Sequence, residues 1–557
     1  MINKAKVYIL CVFAFLITGV SRAQVQFEWV TGIPWKDGAL LTTGFDGDLM
    51  GNIIYPSTFT DTFTYNSILH TAIGSSDLIL AKLDSNGIIQ WVKTAGGPDN
   101  DVVHHSCTDS QENIYITGIY RDTAYFDGDT ITTTSYQDQF FLAKYDPFGN
   151  ELWVRTCTGY ATVGDRVRCD NNDNVIVIVY FIGSLHFDTT SITLPNGTDA
   201  GTCLIKFDAN GNFLWMKGGK NVYLEDLGCT AQNDIIAHGN SFLPSTTYWG
   251  NDNEGYIPFT PFGSTLRNLI TVKLNAAGDL LWKFNEGGTD DSRGHQVLVY
   301  PDGAFCTAGT FKGTATIAGQ QVTTTFYSTW FTAFYDSAHA GRWVKPVVVT
   351  PAGTGHGIQI FKSGNLILTD LYYSSSPVIS CQYSGINFPA STGYDESVNL
   401  GSCDTAGSYM PWVKDTMEYP YIYLTYGFYT SPTNATYMRG TVNNAFIFNS
   451  GDTLTGVNQY YDAFVAKLGN NFSTSVNALN PENEDLAVFP NPSADYVVIS
   501  SQIHKKLNAS VYSITGEKIM DTVIHGYGTI TMPHSSGIYL LKIEGENFIS
   551  TRKIVKQ

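Results

Sequence analysis

Charge is scarce in this chain, and basic charge most of all. Only 15% of the 557 residues are charged, and 32 basic residues face 50 acidic ones, a net charge of −18. A surface of that sign repels nucleic-acid phosphates and anionic membranes, so no nucleic-acid partner is expected. Cysteine is sparse as well. There are nine, with no Cys-x-x-Cys pair and no His-x-x-x-His partner, which excludes a zinc-finger type of site. Gly-x-Ser-x-Gly, His-Glu-x-x-His, a phosphate loop and a dinucleotide fingerprint are all missing. No local motif therefore names a catalytic residue. Beyond residue 23 no apolar run approaches the ~20 residues of a bilayer-spanning helix, so the mature chain is expected to have no transmembrane span.

What is present is aromatic and glycine-rich. Phe, Trp and Tyr make up 13% of the chain and there are 53 glycines. That combination suits half-buried strands separated by tight turns. The negative charge is concentrated centrally: residues 24–484 carry 44 acidic against 22 basic side chains. Residues 1–23 have the form of a secretory signal peptide. Lys4 and Lys6 precede an apolar run from Val7 to Val20, and Ser21-Arg22-Ala23 offers small residues for cleavage. Export implies an oxidising compartment in which disulfides are permitted.

Residues 24–469 are repetitive. Leu80-Ala81-Lys82-Leu83-Asp84-Ser85-Asn86-Gly87 with Trp91 recurs as Leu142-Ala143-Lys144-Tyr145-Asp146-Pro147-Phe148-Gly149 with Trp153. It returns as Leu204-Ile205-Lys206-Phe207-Asp208-Ala209-Asn210-Gly211 with Trp215. Weaker copies end at Trp282, Trp343 and Trp412, and the Trp spacings are 62, 62, 67, 61 and 69. Each copy reads as a hairpin with an Asp/Gly turn. A second hairpin precedes it, as at Asn113–Gly118, which gives four strands, A to D, per repeat. The last C-like strand, Ala463–Leu468, lacks a Trp strand, and the N-terminal Phe27-Glu28-Trp29-Val30 is a Trp strand without a partner. The two complement each other. The expected fold is all-β: a seven-bladed β-propeller closed by N- and C-terminal strands, followed by a small C-terminal β-sandwich. A linear solenoid is the alternative. The repeats resemble the bacterial seven-bladed propeller repeat family, whose units read like GG…D…DxxGNIYVTG.

Residues 470–484 are polar and read as a linker. Residues 485–557 hold short strand-like runs around Phe489-Pro490-Asn491-Pro492, Val511-Tyr512-Ser513-Ile514-Thr515-Gly516, and Ser536-Gly537-Ile538-Tyr539, ending in Arg552-Lys553-Ile554-Val555-Lys556. These motifs resemble the type A C-terminal sorting domain of the type IX (Por) secretion system. The resemblance marks Pro490, Asn491, Pro492, Gly516, Gly537, Tyr539 and Lys553 as the sorting motif. It implies the type IX machinery as partner, a Gram-negative source, and a secreted or outer-surface location.

Two sets of residues are candidate ligand contacts. Asp101, Asp165, Asp226 and Asp291 fall in the D–A loops shortly before strand A of successive repeats, as does Asp37, with Glu418 a looser match and His356 in the sixth repeat. They either cap their own loops as Asx turns or ring a channel mouth and hold a cation, calcium being the ion that hard oxygen ligands suit. Trp249, with Tyr248 and Tyr256, lies in the longest B–C insertion. It either stacks on a sugar or peptide or tucks under its own loop. His104-His105 reads as packed or solvated rather than ligating. The expected function is a surface binding protein, adhesin-like or directed at a glycan or protein. The alternative is a polysaccharide hydrolase or lyase whose carboxylates come from different blades.

Overall fold

The structure, a computed structural model, describes residues 27–36, 44–194, 199–242, 247–259, 267–288, 290–324, 328–350 and, beyond these, the strands and some turns between 355 and 556. The signal-peptide reading of 1–23 and the linker reading of 470–484 lie outside the described residues, as do Asp37, Glu418 and the side chain of His356. The chain divides into two compact units, Met1–Asn471 and Phe472–Gln557.

The first unit is all-β. Its working element is a four-stranded antiparallel sheet whose strands pair in chain order. Val102–Thr108, Ile114–Tyr120, Gln139–Tyr145 and Glu151–Thr156 are strands A to D of repeat 2. Thr158–Cys169, Val175–Phe187, Ala200–Phe207 and Phe213–Lys220 form repeat 3 in the same order. Val222–Cys229, Ile235–Phe242, Arg267–Leu274 and Leu280–Gly288 form repeat 4. Repeats 1, 5 and 6 start at Asp46–Gly47, Ser292–Val299 and Gly355–Ser363. In the remaining sheet Ile422–Thr430, Thr436–Val442 and Asp462–Leu468 are joined by the N-terminal Phe27–Lys36, which pairs with Asp462–Leu468 through Val30↔Ala466 and Thr31↔Val465. Strands B and C are central and buried along their whole length in repeats 1 and 2. This is why they read as continuous apolar runs. The outer D strand is mostly part-buried.

The repeated letters are explained by contacts between neighbouring repeats. Asp48, Asp109 and Asp170 open the A–B turns, and each accepts backbone N–H bonds from residues two and four further on. The lysine of each C strand is then buried against that carboxylate: Lys82–Asp48 at 2.7 Å, Lys144–Asp109 at 3.3 Å and Lys206–Asp170 at 2.7 Å. The same ammonium groups donate onward to a carbonyl in the C–D turn of the next repeat: Pro147, Ala209 and Ala276. The indole N–H groups of Trp91, Trp153 and Trp215 donate to those same carbonyls at 3.2, 3.4 and 3.2 Å. The turn glycine beside that carbonyl lies flat on the Trp ring. A Cβ at Gly149, where φ is +81°, would stand 3.0 Å from Trp91. Each repeat thus grips the turn of its successor. In repeat 4 the acid moves four residues along the turn, to Asp234, and Lys273 follows it at 2.8 Å. Repeat 5 discards the pair: Tyr300 and Phe334 replace acid and lysine and meet edge to face at 6.0 Å.

The B–C connections are not the open loops the sequence suggests. They fold into extra hairpins, such as Thr123–Tyr125 with Thr130–Thr132, and Thr247–Asn251 with Gly255–Phe259. From repeats 4, 5 and 6 the hairpin adds onto the D strand of the preceding repeat: Gly219↔Trp249, Gly288↔Ala315 and Val348↔Gln382. This covers an edge that would otherwise offer unpaired N–H and C=O groups. It also accounts for the paired glycines closing the D strands, because a Cβ at Gly288 would sit 1.8 Å from the Thr314 carbonyl oxygen.

The second unit is a two-layer sandwich. Leu486–Phe489, Tyr496–Ser501 and Tyr527–Thr531 form one sheet. Lys518–Ile524, Leu507–Ser513, Gly537–Glu544 and Ile549–Lys556 form the other. Val497, Ile499 and Ile530 pack against Val511, Leu541, Ile543 and Ile554.

Removing Lys144 leaves Asp109 buried without its counter-charge, which costs about 3–5 kcal/mol. Lys144→Ala is therefore expected to lower the urea midpoint strongly, and Lys144→Ala with Asp109→Asn to recover part of the loss. Equal midpoints for wild type and the single variant would show that the pair does not hold the turn.

Candidate functional site

Strand A, the first of each repeat, packs beside strand A of the next: Val102–Thr108 on Thr158–Cys169, that on Val222–Cys229, and that on Ser292–Val299. Each of these four strands breaks register with its B strand at an equivalent place, and Thr158–Cys169 has a second shift between Gly159 and Ala161. The irregularities fall between Val103 and His105, Gly164 and Arg166, Leu224 and Asp226, and Gly294 and Gln296. The residue left over at each β-bulge is His104, Asp165, Glu225 or His295. A bulge releases one residue from ladder pairing and re-aims its side chain. Four titratable side chains are thus presented at equivalent positions on neighbouring strands.

Their environments differ. His104 donates from Nδ1 to the Gly164 carbonyl at 2.8 Å, so the neutral ring keeps Nε2 as an acceptor, and burial lowers its pKa. Burial, then the nearby Asp165 carboxylate, pushes Glu225 up to about 7 despite a 3.1 Å bond from the Asn240 amide. His295 stacks on Trp330 at 4.7 Å, and burial, helped by Arg267, holds it down at about 4. Between them run Arg166, paired with Asp165 at 3.1 Å, and Arg168, which donates to the His105 ring at 2.9 Å and pairs with Asp226 at 3.4 Å. Asp46, on strand A of repeat 1, is raised to about 6 by burial. Sequence reasoning passed over Asp46, Arg166, Arg168, Glu225 and His295.

The four aspartates expected to share a cation serve separate structural partners. Asp101 is fully buried and accepts the N–H groups of Gly97 at 2.6 Å and Arg121 at 3.1 Å. Burial pushes it up to about 7 against the lowering effect of those bonds. Asp226 accepts from Leu227 and Val297 backbone N–H groups. Asp165 faces Arg166, and Asp291 takes a two-pronged bond from Arg267 at 2.8 and 3.0 Å and another from Arg293. Among the described residues no group of three or more His, Cys, Asp or Glu is placed to hold a metal ion. The calcium ring is replaced by Asx-type capping and arginine pairing. Trp249 is corrected too. It is 2% exposed and packs among Ile178, Leu204, Leu224 and Ile270, because its hairpin folds onto the preceding repeat. Tyr256 is half-buried and donates to Asp252 at 2.7 Å. Tyr248 lies on the same hairpin, paired with Pro258, and its side chain is outside the described residues.

One cavity of about 800 Å³ opens where repeat 5 abandons the lysine–acid pair. Tyr300, Phe334 and Trp343 form its aromatic wall, and Asp302, Asp336 and Arg342 its polar rim. Phe334 stacks on Trp343 at 5.8 Å, and Arg342 is ion-paired with Asp336.

In the C-terminal unit Tyr539 is buried and donates to the Ser535 carbonyl at 2.8 Å. The backbones of Gly537 and Lys553 lie in adjacent paired strands. Pro490, Asn491, Pro492 and Gly516 are outside the described residues. Residues 487–557 match the family model of the secretion system C-terminal sorting domain. The match implies secretion, and attachment at the surface, through the type IX system. The chain is 23% identical, over 296 residues, to an uncharacterised WD repeat-containing protein, L264, of Acanthamoeba polyphaga mimivirus. The alignment covers 44% of this chain, which spans only 21% of that relative's length. Among solved structures, a chain of the mitotic checkpoint complex is 9% identical, with TM-score 0.37 over 79% of this chain and 96% of its own. A puromycin hydrolase mutant is 8% identical, with TM-score 0.29 over 74% and 62%. Those likenesses are too distant to bear on function.

Glu225 carries a pH signature. Its folded pKa lies above the unfolded value of about 4.3, so the native state keeps a proton that the unfolded chain releases. That contribution is complete below about pH 4 and is lost as pH rises through about 7. The lowered histidines act in the opposite sense, so the test is a difference. Glu225→Gln should gain stability relative to wild type between pH 5 and pH 8 in denaturant titrations. A constant difference would place Glu225 in water.

Proposed function

We propose that the repeat region is a seven-bladed propeller, closed by the N-terminal strand, that works as a binding module on the outer surface of a Gram-negative cell. Closure is supported by the pairing of Phe27–Lys36 with Asp462–Leu468, and by strand A of repeat 7 packing against that of repeat 1. Location rests on the sorting tail. The observation that carries binding is the cavity in blade 5. The clasps of repeats 1 to 4 are each filled by a lysine and an acid, whereas here an aromatic wall faces carboxylates and a guanidinium. The rings are buried at the base of the cavity, where Trp343 donates to the Thr405 carbonyl, and the carboxylates and Arg342 on the rim are placed to hydrogen-bond hydroxyls. The ligand class is a glycan.

A second reading follows from the bulges. Glu225, raised to about 7, lies near Asp165, which is ion-paired with Arg166; two neighbouring carboxyl groups are what sugar hydrolysis needs. The two readings separate cleanly. A glycan array on the full chain should give binding that Arg342→Ala or Asp302→Asn weakens at least tenfold, with Glu225→Gln neutral. Glycan cleavage abolished by Glu225→Gln would favour the hydrolase, and an array blank for wild type would remove glycan binding.

A further inference from the structure

The first blades carry two thiols that the mechanism of binding does not use. Cys107 is on strand A of blade 2 and Cys169 on strand A of blade 3, and their Sγ atoms are 3.0 Å apart. Cys107 is 3% exposed and points into the core shared with blade 3, beside Val167 and Val177, while Cys169 is half-buried at the margin of that core. A disulfide requires Sγ atoms about 2.05 Å apart, so closure needs a movement of about 1 Å on two strands that already pack together. No other element separates them. The sorting tail independently directs the chain through an oxidising compartment, where thiol pairs in such geometry do not persist.

We infer that Cys107 and Cys169 form a disulfide in the secreted protein, a covalent staple between blades 2 and 3. The step is thiol–disulfide exchange with a disulfide-bearing oxidant, either a protein oxidase or oxidised glutathione. The more accessible Cys169, as thiolate, attacks one oxidant sulfur and expels the other as a thiol. Cys107, deprotonated in turn, attacks Sγ of Cys169 in the mixed disulfide and releases the second oxidant thiol. Two electrons pass to the oxidant, and the two thiol protons end on its two sulfurs. Burial and the neighbouring thiol raise the Cys169 pKa, so exchange in the folded protein is slow in both directions. The bond is then set as blades 2 and 3 come together and resists later reduction. Cys229, at the equivalent position on strand A of blade 4 and half-buried, is the competing partner.

The compartment rests on the secreted reading, so the test separates geometry from location. Full-length protein made in a reducing cytoplasm is unfolded, refolded with oxidised glutathione, alkylated without reduction and digested. Peptides containing Cys107 and Cys169 should be recovered joined, and the join should persist in Cys229→Ser. Reduction should lower the melting temperature by roughly 5 °C in wild type and leave Cys107→Ser and Cys169→Ser unmoved. Alkylated Cys107 and Cys169 after oxidative refolding, or a Cys169–Cys229 link, would overturn the staple whatever the variants do. A link formed in glutathione but absent from protein recovered outside the cell would leave the geometry standing and refute the native disulfide.

Discussion

Repeats 1 to 3 depend on one contact made three times: an indole and a lysine of one repeat closing on a backbone carbonyl of the next. The carbonyl accepts from both donors, and the lysine is buried with the A–B turn aspartate of its own repeat. Three elements are fixed at once. The acid organises its own turn, the lysine ties strand C to that turn, and the Trp ring sets how closely the next repeat's glycine turn can approach. Burying an ion pair is costly unless every remaining valence is met. Here the other valences are met by turn amides, an Asn side chain and the neighbour's carbonyl. Failure at one contact therefore propagates to a neighbour.

Most of this was legible in the sequence as spacing. The four-strand repeat, the Asp/Gly turns and the role of the periodic tryptophans as packing residues all come from repeat positions, and local contacts enforce them. The B–C hairpins were not legible. Their strands are short and polar-flanked, and they are stabilised by pairing with another repeat rather than by their own pattern. Trp249 could not be decided between ligand stacking and a tucked ring for the same reason: its sequence neighbours are Gly, Asn and Asp, and its spatial neighbours are Ile178, Leu204 and Ile270. The bulges on strand A were invisible too, because an extra residue is extra only relative to its partner strand. Glu225 and His295 therefore passed unnoticed, and Asp165 and His104 were noticed without being placed at equivalent bulges. Of the two readings of the four aspartates, capping or a cation ring, their partners in the structure are backbone amides and arginines at their own corners.

The departures from the repeat carry the binding proposal. A protein built from copies of one clasp has little reason to exchange a lysine and an acid for two aromatic rings unless the site does something else. Repeat 5 makes that exchange, and the cavity there is the result. Repeat 4, by contrast, moves its acid but keeps the charge pair through Lys273 and Asp234. That is the behaviour of a position held for stability.

A chain of neighbour-to-neighbour contacts has free ends unless it closes. Its ends meet in the last sheet, where the N-terminal strand lies on Asp462–Leu468. The most direct measurement is the thermal midpoint of the full-length protein with residues 27–32 deleted. A ring closed by that strand predicts a fall of at least several degrees, with loss of a single cooperative transition as the repeats on either side of the break loosen. An unchanged midpoint and an unchanged transition would contradict closure, because the repeats would then be stable as an open array.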